Sequence, residues 1–136
     1  MRTEVREEVR QYTTYITEDG REFTNRHQAI RHEADLIKKN DPREIKSDWI
    51  MIDEETGANI YYCKTADDLH YLGATEWLHY DLIDGFIGPG WYMAVFQDGG
   101  DHYDYYDIYN CDKYFKKLKK IVEEYESVMK EWEGKV

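Results

Sequence analysis

Three glycine-bearing turns punctuate the chain: Asp19-Gly20, Thr56-Gly57, and the run from Asp98 through Gly99 and Gly100 to Asp101. Gly20, Gly57 and Gly99 lie 37 and 42 residues apart. Each turn sits between two extended stretches and precedes a helical pattern. Hairpins pair antiparallel and the helices must cover a sheet face, so the fold class is α+β, with three candidate ββα units and an amphipathic C-terminal helix. Sequence identity between the units is low; what they share is architecture. A single compact domain over residues 1–136 is expected. Within it, residues 1–46 are a candidate N-terminal ββα subdomain and residues 47–136 an acidic α+β core, with the break at residues 40–47.

In the first unit, residues 11–17 are rich in Thr, Tyr and Ile. Asp19-Gly20 suits a type I′ turn, whose central residues need positive φ. Residues 21–24 return. Residues 2–10 read as a strand in preference to a short helix through Val5, Val9 and Tyr12. Asn25 caps the first helix, with Gln28 as its capping-box partner. Ala29, Ile30, Ala34 and Ile37 form the buried stripe, and Asp41-Pro42 ends the helix. In the second unit, Trp49 and Met51 alternate with Ile50 and Ile52, the pattern of a strand covered on both faces. Residues 59–64 return. Thr65 and Asp68 form a capping box opening a helix whose Leu69, Leu72, Trp77, Leu78 and Ile83 face the core, with Gly73 a candidate break within it.

In the third unit, residues 91–97 and 102–109 read as strands, and Asn110 or Asp112 caps the last helix. Its apolar positions, Tyr114, Leu118, Ile121, Tyr125, Val128 and Trp132, are spaced 4, 3, 4, 3 and 4. Phe115, Val122 and Met129 widen the stripe. That width predicts packing on the chain's own sheet, with Trp132 placed to reach a second copy in a homodimer. The helix charges run against the macrodipole, with Lys116, Lys117, Lys119 and Lys120 early and Glu123, Glu124 and Glu126 late. The Lys119–Glu123 and Lys120–Glu124 pairs offset part of that cost.

Charge limits function further. The chain has 18 basic and 29 acidic residues, net −11. Residues 1–46 hold ten of each, whereas residues 47–112 hold fourteen acidic residues and a single basic one, Lys64. A broad basic face for duplex DNA is therefore excluded. The longest stretch free of Asp, Glu, Lys and Arg, residues 85–97, is too short for a membrane span and contains Pro89. Residues 1–10 are charged and lack the apolar run of a secretory signal. Cys63 and Cys111 are the only cysteines, so neither a disulfide framework nor a CxxC site is available. A reducing, cytoplasmic compartment fits that usage.

The first unit resembles a zinc finger in the spacing of Phe23, Ala29 and His32. The cysteine pair and the second histidine are missing, which points to a metal-free module. Asp98, Asp101, Asp104 and Asp107 recur every third residue, whereas calcium loops of the EF type need ligands every second residue. His102 beside Asp101 and Asp104, and His79 beside Asp81, are candidate base–carboxylate pairs, and no catalytic or phosphate-loop motif accompanies them. The expectation is a non-enzymatic chain without metal or cofactor. Alternation over residues 102–109 puts Tyr103, Tyr105, Asp107 and Tyr109 on one face. Such a Tyr/Asp ribbon suits protein recognition, and equally suits tyrosines packed under a helix. The candidate partner-binding residues are Asp98, Asp101, Asp104, Asp107, Tyr103, Tyr105, Asp53, Glu54, Glu55, Asp67, Asp68, Asp81 and Asp84. The competing reading makes the acidic block a solubilising face of a general interaction or homodimeric module.

In size and charge style the chain resembles the small acidic proteins that phages use against host defences, the anti-CRISPR and anti-restriction inhibitors. The acidic block 47–112, the segment 98–107 and the charged opening around Glu18-Asp19-Gly20-Arg21-Glu22-Phe23 carry that resemblance. It implies stoichiometric inhibition, in the host cytoplasm, of a cationic protein such as a nuclease. Spaced carboxylates would stand in for the phosphates that the partner's Lys and Arg groove accepts.

Overall fold

The computed structural model describes residues 1–7, 11–101 and 103–135. The chain builds two sheets. Strands β1 (Arg2–Glu7), β2 (Gln11–Ile16) and β3 (Glu22–Phe23) form an antiparallel sheet in that order. Helix α1 (Arg26–Asn40) follows. The second sheet contains β4 (Ser47–Met51), β5 (Gly57–Cys63), β6 (Tyr80–Leu82), β7 (Gly90–Gln97) and β8 (Tyr105–Asn110), in the order β4-β5-β7-β8-β6. All its pairings are antiparallel except β6 with β8. Helix α2 (Ala66–Leu72) runs into a π-helical turn at Gly73–Trp77, and α3 (Cys111–Glu133) follows β8 directly. The fold is α+β, and each of the three expected hairpins is followed by a helix.

Local chemistry explains most element ends. Asn25 accepts from the Gln28 amide at 3.2 Å and caps α1. The Thr65–Asp68 capping box opens α2 in both directions. Asn110, not Asp112, caps α3, its Oδ1 accepting from the Lys113 amide at 3.0 Å. Other expectations need correction. Gly20 has φ +82° while Asp19 stays at negative φ, so the first turn is not type I′. In the second turn Asp53 does the turning: its Oδ1 accepts from the Glu55 and Thr56 amides at 2.8 and 2.7 Å. Gly57 serves close approach instead, because a Cβ there would lie 1.9 Å from the Trp49 ring. Tyr103 lies outside the return strand, which starts at Tyr105. Strand β1 matches the strand reading as far as Glu7; Val9 and Arg10 lie outside the described residues.

The helix expected to reach Ile83 ends early. After α2 the backbone widens into the π turn, where the Leu78 amide donates to the Gly73 carbonyl at 3.1 Å. Leu78 then takes φ +59° and reverses the chain. Leu69, Leu72 and Trp77 are buried as expected, whereas Ile83 follows β6 and is exposed. Gly73 is pinned by Tyr80, whose hydroxyl oxygen would lie 2.3 Å from an added Cβ.

One face of the five-stranded sheet packs Cys63, Tyr92, Ala94 and Ile108 against Leu69, Leu72 and Trp77. Each large side chain buried there contributes roughly 1.5–3 kcal/mol. Tyr92 also donates to the Gly88 carbonyl at 2.8 Å and accepts from the Ile87 amide at 3.1 Å. On the other face, Ala58, Met93 and Cys111 are buried, with Ile50, Ile52, Ile60, Trp91, Val95, Tyr109 and Tyr114 half-buried around them. Strand β4 is covered on one face only, since Trp49 and Met51 are exposed. In α1, Ala29 and Ala34 are buried but Ile37 is not. Phe23 packs on His32, ring centroids 5.3 Å apart, and His32 Nε2 lies 2.8 Å from the Asp19 carboxylate. No helix is long and apolar enough to cross a membrane among the described residues.

The largest correction concerns α3. Only Cys111 is buried and Tyr114 half-buried; residues 115–135 are all exposed. Beyond Tyr114, the apolar stripe does not pack on the chain's own sheet among the described residues.

Candidate functional site

Strand register decides how the acidic residues are grouped. Asn59 pairs with Ala94 and Cys63 with Gly90, so β5 begins where β7 ends. The β4–β5 turn and the β7–β8 turn therefore lie at the same end of the sheet. Strand β6 starts there too, because Tyr80 pairs in parallel with Tyr106. That end gathers Asp53, Glu54 and Glu55 from one turn, Asp98, Asp101 and Asp104 from the other, and the neighbours Asp81 and Asp107 from β6 and β8. Residues 51–57, 79–84 and 96–107 contain no Lys or Arg. None of these eight carboxylates forms an ion pair among the described residues.

Several hold the turns rigid. The two amides on Asp53 keep its carboxyl below the usual carboxylate range. Asp98 accepts from the Gly100 amide at 2.9 Å, and Asp104 from the Gly99 amide at 3.3 Å. Asp107 behaves differently. Partial burial first, and the Asp81 charge second, push its carboxyl up, against a hydrogen bond from Gln97.

A cleft of about 610 Å³ opens at this end, lined by Leu78, His79, Tyr80, Asp81, Asp98, Gly99, Tyr103 and Tyr105. Tyr103 lies over His79, with ring centroids 4.3 Å apart and planes inclined by 31°. His27, from the start of α1, meets His79 edge-on at 5.8 Å. Partial burial, then the His27 and Arg26 charges, push the His79 imidazole down from 6.5. Leu78, at positive φ, and His79 line the cleft side by side. No hydrogen bond joins His79 to Asp81 among the described residues. His102, the other candidate base, lies outside the described residues.

The remaining predicted residues are engaged elsewhere. Arg43 Nη1 reaches Asp67 at 2.8 Å and Asp68 at 3.2 Å, while its guanidinium sits 4.8 Å from the Tyr71 ring centroid. Asp84 is largely buried, lies 3.1 Å from Lys113 Nζ and accepts from the Asn110 amide at 3.0 Å. These three brace the opposite end of the sheet.

The sequence marks His79 as a candidate base beside Asp81, but not its place with Leu78 in an aromatic cleft, which depends on the helical path ending at Trp77.

Both cysteines are buried, and burial pushes Cys63 up to about 12 and Cys111 up to about 11. No three His, Cys, Asp or Glu side chains converge to hold a metal ion among the described residues. Compared with known proteins, the chain matches no family model, no curated protein and no solved structure.

Proposed function

We propose that the chain works by binding a cationic, nucleic-acid-handling protein through the acidic end of its five-stranded sheet. It would act as a stoichiometric inhibitor, without chemistry of its own, in the manner of the phage anti-defence proteins it resembles. The observation that carries the reading is the register-enforced grouping of eight carboxylates on turns and strands devoid of Lys and Arg. Rigid turns hold such charges in place before the encounter, so little side-chain freedom is lost on binding. A one-signed field of this kind raises association rates by about 10- to 1,000-fold and makes them salt-sensitive. The Tyr- and Asp-lined cleft suits an Arg or Lys side chain of the partner, with Tyr103 supplying a π face and Asp81 and Asp98 the counter-charge. A cytoplasmic setting belongs to this reading.

The test is capture of partners from a bacterial lysate, eluted by rising salt, followed by competition with duplex DNA or guide RNA. Displacement of a captured nuclease by nucleic acid, together with a more than roughly tenfold loss of affinity in the triple variant Asp101→Asn, Asp104→Asn, Asp107→Asn, supports the decoy. Unchanged affinity in that variant overturns it.

A further inference from the structure

Helix α3 has 23 residues, about 34 Å of rod, and is anchored only at its first turn. Phe115, Leu118, Ile121, Val122, Tyr125, Val128, Met129 and Trp132 form one continuous stripe, each at least 40% exposed. A contiguous apolar surface of that extent marks a contact site. Its charge pattern says what kind. Residues 112–120 hold five lysines and one aspartate, and residues 121–133 hold five glutamates and one lysine. On an isolated helix this order is unfavourable, with cations at the positive N-terminal end and anions at the negative C-terminal end. Beyond the first turn, no packing of α3 offsets that cost.

We propose that α3 pairs antiparallel with α3 of a second copy of this chain. The basic half of each helix then lies along the acidic half of the other, and the two macrodipoles oppose. A parallel pair would set lysines beside lysines and glutamates beside glutamates.

The exposed stripe fits the antiparallel register. Written as heptads, Leu118, Tyr125 and Trp132 occupy the a positions and Tyr114, Ile121 and Val128 the d positions. In an antiparallel pair a meets d. Leu118 then faces Val128 of the second copy and Ile121 faces Tyr125, while Trp132 comes up to Tyr114, which is half-buried against its own sheet where α3 leaves it. Lys117 flanks the seam opposite Glu131 of the second copy. Phe115, Val122 and Met129 widen the seam and meet one another across the two-fold axis. Trp132 reaches the base of the second copy's α3, beside a cleft of about 530 Å³ lined in part by Ile87, Pro89, Trp91 and Phe115. Cys63 and Cys111 are both buried, which leaves an engineered thiol as the reactive one.

Two measurements decide this. Sedimentation equilibrium of the full chain is expected to show a dimer. Ile121→Glu with Tyr125→Glu should weaken that dimer by at least about a hundredfold, because two carboxylates would enter an apolar seam. Since that variant can unravel α3 itself, orientation and register are read separately by cross-linking. Mixed Leu118→Cys and Val128→Cys chains should form the mixed disulfide, while Leu118→Cys alone should not cross-link to itself. A monomer at every concentration overturns the proposal. So does a dimer untouched by the glutamate pair, self-cross-linking of Leu118→Cys, or a different protein holding α3 of a monomeric chain.

Discussion

The two ends of the five-stranded sheet use carboxylates in opposite ways. At one end Asp67 and Asp68 close on Arg43, and Asp84 joins Lys113 to the start of α3. At the other, Asp53, Glu54, Glu55, Asp81, Asp98, Asp101, Asp104 and Asp107 form no ion pair among the described residues. The first end is built as a brace. The second places like charges together, an arrangement that opposes folding and offers a surface to something cationic. Residue type alone does not separate these roles; the neighbours that the fold supplies do.

The contrast can be broken by substitution, most sharply at Asp84. Asp84→Ala is expected to lower stability by about 2 kcal/mol, because the Asn110 amide loses its acceptor at a site where Asp84 is largely buried. Urea denaturation measures it, and a variant as stable as the wild type would mean that this end is no brace. Arg43→Ala should cost less than Asp84→Ala and less than its several contacts imply, because Asp67 is exposed and its pairing is weakened by water. Amides at the acidic end should act with the opposite sign. Asp81→Asn is expected to raise stability by a few tenths of a kcal/mol at low salt, and added salt should erase the gain. A loss of stability in that variant would contradict the like-charge account.

The smallest effects are in pH. Asp107 has a raised carboxyl, so its protonated form favours the fold; that contribution is present below the ordinary value of 3.8 and is lost as pH rises through the raised one. Asp107→Asn should remove this slope from a stability–pH curve. His79 has a lowered imidazole, so its contribution is present above 6.5 and is lost as pH falls through the depressed value. His79→Gln should flatten the curve on the acid side of neutrality, read by thermal unfolding at matched ionic strength.

Much of this molecule was readable in its residues because the causes are local. Asn25, Thr65 and Asn110 cap helices through contacts three residues away, and the spacing of the last helix specifies its conformation without help from the fold. Strand β6 was not readable. Tyr80–Leu82 is three residues long and acquires strand geometry only from β8, 26 residues onward at the Tyr80–Tyr106 pair. The acidic end was legible as composition but not as a place. Strand order brings the two turns together, and the sequence contains no local mark of that order. Amphipathicity in α3 specified a face that needs cover and left open whose surface covers it. In α1 the buried positions are Ala29 and Ala34, small enough for close packing, while α3 presents bulky residues to solvent.

Strand β8 ends at Asn110 and α3 begins at Cys111, with no residue between them. The acidic turn stands at the other end of β8, about 20 Å of strand away. Two chains joined along α3 would thus carry their charged turns on stiff arms rather than on tethers. The span between those turns is a property of the backbone, so such an assembly would grip one target at two points only where the target's cationic sites match that span.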